Sequence, residues 1–175
     1  MNATTCWETW HNGTGHHDGI GPFLREPNSH NHVMLCGGIS AWFWTHLAGL
    51  APTSPGFATF SVAPRIDRTL GPASMSANYS SPCGVIRVEW TRNASARTIE
   101  LAVDVPVGVQ SATVSVPTPF LGKRAVSESG VTVWSEVDGT VDTRAFLGVE
   151  YFAAEQDAVA FRVGSGWFRF RVTTV

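Results

Sequence analysis

From Ile86 to Val172, apolar and polar residues alternate one by one in five separate runs. Ile86, Val88 and Trp90 oppose Arg87 and Glu89. Ile99, Leu101, Val103 and Val105 oppose Glu100, Ala102 and Asp104. Val114 and Val116 oppose Thr113 and Ser115; Val159, Phe161 and Val163 oppose Arg162; Phe168, Phe170 and Val172 oppose Arg169 and Arg171. A period of two puts one set of side chains on each face of a strand, so each run predicts a half-buried β-strand. Weaker runs lie at 57–62 and 131–137. Turn signals separate the runs: Ser81-Pro-Cys-Gly84, Val105-Pro-Val-Gly108, Asp138-Gly139 and Gly164-Ser-Gly166. Seven or so short strands of this kind predict a mainly β fold, an antiparallel β-sandwich of about 115 residues.

The first part of the chain follows a different rule. Val33, Cys36, Ile39, Phe43, Leu47 and Leu50 recur every three or four residues, one face of a helix, with Asn28-Ser29 as the N-cap signal. Leu35, Trp42 and Trp44 carry apolar surface round to other faces, so the helix is expected to be buried on most sides. Gly37-Gly38 inside it each cost about 1 kcal/mol relative to Ala, which predicts a backbone or ligand in close approach. All six His and the residues Trp7, Trp10, Trp42 and Trp44 precede residue 53; no His follows it. That shift divides the chain into residues 1–52 and 53–175, with Gly49-Leu-Ala-Pro-Thr-Ser-Pro-Gly56 expected as the linker.

Charge excludes some partners. Lys and Arg number 12 against 14 Asp and Glu, a net charge of −2. No basic excess is present to hold nucleic acid or an anionic membrane. The apolar stretch near residues 33–50 is broken by Ser40, Thr45 and His46, a poor membrane span. The N-terminus has neither a basic region nor an apolar core, so no signal peptide is expected and localisation stays undetermined. Cys6, Cys36 and Cys83 form no CxxC pair and are expected as small buried hydrophobes.

Chemistry-bearing residues concentrate in the first part. Trp7-Glu8-Thr9-Trp10 sets a carboxylate between two indoles. Aromatic faces stack on sugar C–H surfaces, and an indole wall raises a carboxyl pKa by desolvation. His11, His16, His17, His30 and His32, with Asp18, invite a metal reading, but none of their spacings matches a zinc motif, so no metal is expected. In the sandwich, Glu89, Glu100 and Asp104 fall on outward faces and are expected to be solvated.

Five blocks in order carry a resemblance. Ala3-Thr-Thr-Cys-Trp-Glu-Thr-Trp10 resembles the ATT-x-WE-x-W signature of bacterial-type α-L-rhamnosidases, glycoside hydrolase family 78. Ser29-His-Asn-His32 resembles that family's S-x-NH motif, and Gly49-Leu-Ala-Pro-Thr-Ser-Pro-Gly-Phe57 its G-[IL]-x-P-x-x-PGF exit. Tyr79-Ser-Ser-Pro-Cys-Gly84 resembles its Y-x-SP-x-G turn, and Val163-Gly-Ser-Gly-Trp-Phe-Arg-Phe170 its SG-x-[YF]-x-F ending.

The resemblance implies that residues 1–52 are the C-terminal end of an (α/α)6 catalytic barrel, followed by a C-terminal β-sandwich domain. It implies an inverting hydrolase that removes terminal α-L-rhamnosyl residues from a glycoside or oligosaccharide without a cofactor. By the resemblance Glu8 is the general base, and His32 contacts the sugar beside Trp7 and Trp10. The family's general acid and most barrel helices lie upstream of the matched segment, so this chain alone is expected to be inactive and to need those helices as its partner. Two other readings stand beside this one. A stand-alone carbohydrate-binding or accessory sandwich needs an exposed aromatic platform, for which Trp134 and Trp167 are the candidates. A metal-binding His loop is the other.

Overall fold

The computed structural model describes residues 33–137 and 148–174. Two compact units divide the chain, the second running from Phe43 to Val175. In the first unit, α1 spans Val33–Trp42. Ile39 and Trp42 on it are exposed, and no described atom lies within 4 Å of a Cβ added at Gly37 or Gly38. The close approach expected at these glycines is therefore not found among the described residues.

The second unit opens with a π-helical turn, Phe43–Leu47, in which the Ala48 N–H donates to the Phe43 carbonyl at 3.0 Å. The helical stripe stops there, and Leu50 belongs to a strand. Gly49 explains the stop. Its φ is +68°, and a Cβ there would stand 2.1 Å from the Ala63 carbonyl carbon. Only glycine accepts both conditions.

Eleven strands follow among the described residues. They are β1 Leu50–Pro52, β2 Thr59–Val62, β3 Ser74–Ser81, β4 Gly84–Asn93, β5 Thr98–Val105, β6 Ser111–Pro117, β7 Arg124–Glu128, β8 Val131–Ser135, β9 Val149–Ala154, β10 Ala158–Val163 and β11 Gly166–Thr174. One sheet has the order β1-β2-β6-β10-β9 and the other β3-β4-β5-β11-β7-β8. All pairs are antiparallel except β2 with β6. The expected sandwich is present. The expected linker is not: Leu50–Pro52 pairs with β2, and Pro55–Phe57 forms a short 3-10 turn. β1 lies at the edge of its sheet, the place where a strand accommodates a proline such as Pro52.

Each of the five alternating runs buries the face its pattern predicts. Ile86, Val88, Trp90, Ile99, Leu101, Val103, Phe168, Phe170 and Val172 from one sheet meet Phe60, Val62, Val114, Val116, Val159, Phe161 and Val163 from the other in a single core. Gly164-Ser165 carries the chain from β10 in one sheet to β11 in the other. The Ser81–Gly84 turn closes the β3–β4 hairpin, where Gly84 at φ +121° lets Pro106 approach; a Cβ there would lie 2.8 Å from the Pro106 Cβ. Cys83 in that turn is half-buried, and its Sγ lies 3.7 Å from the Gly56 carbonyl oxygen.

Candidate functional site

Glu8, Trp7, Trp10 and His32 lie outside the described residues, as do His11, His16, His17, Asp18 and His30. What the structure describes is the ground that follows them. At the start of the second unit, Trp44 meets Tyr79 edge-on with ring centroids 5.5 Å apart. Tyr79 in turn packs on Phe57 at 4.7 Å, and Phe57 on Phe60 at 6.2 Å. The Trp90 indole N–H donates to the Leu47 carbonyl at 2.8 Å, and the Arg65 N–H to that of His46 at 2.9 Å. These contacts fix residues 44–50 against the sandwich. Sequence spacing carried no signal for them, because they join residues up to 43 positions apart.

A cleft of about 810 Å³ lies between the loop after β2 and the ends of β6 and β10. Arg65, Asp67, Arg68, Glu155 and Asp157 line it. Asp67 accepts the backbone N–H groups of Leu70 and Thr69, each at 2.8 Å, and these bonds hold its carboxyl below the ordinary range. A carboxylate held ionised by two donors cannot serve as a proton donor near neutral pH. Among the described residues no group of three His, Cys, Asp or Glu side chains converges to hold a metal.

Arg124 is a hub that sequence reading missed. It pairs with Glu136, and its guanidinium donates to the Thr118 carbonyl at 3.0 Å, the Thr118 hydroxyl at 3.2 Å and the Gln156 carbonyl at 2.9 Å. The hydrogen bond to Glu136 raises the Arg124 pKa, and the same bond lowers that of Glu136. Arg124 starts β7 in one sheet, whereas Thr118 and Gln156 flank β6 and β10 in the other. Arg124, held by Glu136 on its own sheet, is thus a strut to the other sheet through Thr118 and Gln156.

The outer face of the six-stranded sheet is polar. Ion pairs Arg87–Asp104 at 3.3 Å and Arg171–Glu100 at 3.6 Å lie across it. Exposed pairs of this kind contribute at most about 1 kcal/mol each. Of the two aromatic platform candidates, Trp134 is buried and Trp167 is 48% exposed on this face. Trp167 borders a depression of about 540 Å³ with Glu100, Ser127, Ser129, Arg169 and Arg171. Among the described residues no helix is long and apolar enough to cross a membrane.

Comparison with known proteins adds to this geometry. Residues 49–130 match the family model described as the bacterial alpha-L-rhamnosidase C-terminal domain. An alpha-L-rhamnosidase of Alteromonas sp. (strain LOR) is 34% identical over 109 residues, 62% of this chain and 11% of that protein. One from Streptomyces avermitilis is 26% identical over 174 residues, 97% of this chain and 14% of that protein. Among solved structures, an alpha-L-rhamnosidase from Dictyoglumus thermophilum shares the fold over 98% of this chain and 16% of its own, with TM-score 0.72 and 23% identity. The Streptomyces avermitilis enzyme complexed with L-rhamnose covers 97% of this chain with 14% of its own, at TM-score 0.67 and 25% identity. The chain therefore spans a small part of each relative.

Proposed function

This chain carries the C-terminal domain of a bacterial α-L-rhamnosidase, and from that premise we propose that it is the C-terminal part of an inverting enzyme acting on terminal α-L-rhamnosyl residues. The observation that carries the reading is coverage: the likeness to the rhamnose-bound Streptomyces enzyme extends over 97% of the chain, well beyond the sandwich. Residues 1–52 are then the end of the catalytic barrel and residues 53–175 the sandwich, with the packed stretch 43–52 running from one into the other.

In this reading Glu8 is the general base. It takes a proton from water as the water attacks the anomeric carbon from the face opposite the leaving group. A carboxylic acid elsewhere in the enzyme protonates the departing oxygen, and the two groups stand about 6.5–9.5 Å apart to admit the water. His32 holds a sugar hydroxyl, and Trp7 and Trp10 wall the sugar's C–H surface. No cofactor enters the chemistry. The sandwich acts by position. Its role is to pin residues 43–50, through Trp90, Tyr79 and Phe57, at the exit of the catalytic segment.

Proton NMR of aryl α-L-rhamnoside hydrolysis, by an enzyme containing this segment, tests the reaction class. β-L-Rhamnose as the first-formed sugar supports inversion; α-L-rhamnose as the first product refutes it.

A further inference from the structure

We propose that the outer face of the six-stranded sheet binds an acidic saccharide, with Trp167 as the stacking surface and Arg169 as the partner of a sugar carboxylate. The inference does not rest on the catalytic reading. It rests on how β11 is registered between β5 and β7. Trp167, Arg169 and Arg171 alternate with the buried Phe168, Phe170 and Val172, so all three point outward in a row. On β5 their partners are Asp104, Ala102 and Glu100. Arg171 thus meets a carboxylate, at 3.6 Å. Arg169 faces the methyl of Ala102 instead, and its guanidinium has no ion pair or hydrogen bond among the described residues.

Small side chains keep the space beside it open. Ser127 and Ser129 stand on the β7 side with Gly130, and the depression they border holds about 540 Å³. The Ser129 hydroxyl donates to Glu128 at 2.6 Å, which leaves its oxygen lone pairs to accept. Glu100 accepts from hydroxyls; Arg169 and Arg171 donate. Two arginines against one glutamate give the depression a local positive charge, opposite to the net −2 of the chain.

These groups match one chemistry. The exposed indole face carries the negative side of its quadrupole, and the C–H hydrogens of a pyranose ring are its complement. Hydroxyl-sized donors and acceptors flank it, and an uncommitted guanidinium fits a carboxylate with two parallel hydrogen bonds. A long polyanion is disfavoured because Asp104 and Glu100 on β5 interrupt the arginines of this face. The motif behind the family resemblance specifies Gly166 and the inward Phe168 and Phe170 and leaves positions 167 and 169 open, so this face is a property of this chain's own residues.

The test titrates the 175-residue chain with tetragalacturonate and, separately, with neutral cellotetraose, following indole and backbone N–H shifts by NMR. The expected result is a shift at the Trp167 indole with tetragalacturonate and binding at least about tenfold weaker for cellotetraose. Trp167→Ala is expected to weaken tetragalacturonate binding about tenfold or more, as loss of an aromatic anchor does, and Trp167→Phe to restore part of it. Arg169→Gln is expected to bring tetragalacturonate down to the level of cellotetraose. Both positions are exposed, and an unchanged backbone spectrum verifies the fold of each variant. No shift at Trp167 overturns the proposal. So does equal binding of the two tetrasaccharides, or full binding by Arg169→Gln.

Discussion

Phe161 and Phe170 lie face to face across the sandwich, with ring centroids 5.2 Å apart and planes 18° from parallel. Each comes from a different sheet, and both are fully buried. Truncation of either leaves a cavity between two sheets that cannot both collapse into it. Phe161→Ala and Phe170→Ala are each expected to cost about 3–5 kcal/mol. The double variant is expected to cost less than the two together, because the second truncation removes contacts already lost. Urea unfolding followed by circular dichroism measures all three. Additive losses would show that the rings do not act as a pair.

Gly49 gives a sharper contrast. Its φ of +68° and the Ala63 backbone at 2.1 Å from an added Cβ make Gly49→Ala incompatible with the present chain path. A loss of about 2 kcal/mol or more is expected. Gly38→Ala, in a helix with no described atom within 4 Å of the added Cβ, is expected to raise helicity instead and to favour α1 by about 1 kcal/mol. Thermal unfolding and far-ultraviolet circular dichroism separate the two outcomes. A Gly49→Ala variant as stable as the parent would refute the packing of Gly49 on Ala63.

The acid side of the stability profile is expected to depend on Glu136. Its folded pKa is lowered, first by the hydrogen bond from Arg124. A carboxyl with a lowered folded pKa contributes stability above its unfolded value, about 4.3 for Glu. That contribution fades as pH falls through the lowered folded value. Arg124, with its pKa raised, stays charged throughout this window. Glu136→Gln is therefore expected to be less stable than the parent at pH 7 and to approach it at about pH 3. Equal differences at both pH values would exclude the ion pair as the cause.

The five alternating runs made most of the core legible, because burial on one face imposes period two whatever the neighbours are. β3 was not legible. Its inward residues Met75, Ala77 and Tyr79 are only partly buried, and serines fill much of its outward face, so Ser74–Ser81 reads as loop. β1 was read as linker because Pro and Gly mark turns without saying whether the residues between them pair. The helix pattern ran one residue set too far, to Leu50, because periodicity does not register a backbone clash such as that at Gly49. Trp167 was visible as a candidate platform, but Arg169 beside it was not. Its lack of a carboxylate partner among the described residues follows from the register that puts Ala102 opposite.

Composition and packing divide the chain ten residues apart, at 52 and at 42. A chain beginning at Thr53 loses the buried Ala48 and Leu50 and the acceptor of the Trp90 indole N–H. An unsatisfied buried donor costs about 1–3 kcal/mol, and loss of a buried Leu about as much again. The chain beginning at Phe43 keeps all three. It is expected to give a dispersed amide spectrum and a higher denaturant midpoint than the chain beginning at Thr53. Equal midpoints would place the boundary at 52.

Glu8 carries the catalytic proposal, and a single-atom change tests it in a full enzyme that contains this segment. Glu8→Gln keeps the shape of the side chain and its hydrogen bonds to water, but the amide cannot accept the proton that water loses during attack. General-base loss costs about 10²–10⁴-fold in turnover, roughly 3–5 kcal/mol of transition-state stabilisation. Binding of L-rhamnose is expected to persist, because the base acts on water and not on the sugar. His32→Ala is expected to separate from this behaviour: loss of a residue that holds a hydroxyl in both ground and transition states raises KM at least as much as it lowers kcat. Azide supplied to Glu8→Ala extends the test, because an anionic nucleophile needs no base and attacks from the water's side to give the inverted glycosyl azide. Near-normal turnover by Glu8→Gln would end the assignment, and Trp7-Glu8-Thr9-Trp10 would then be a packed aromatic segment without a role in proton transfer.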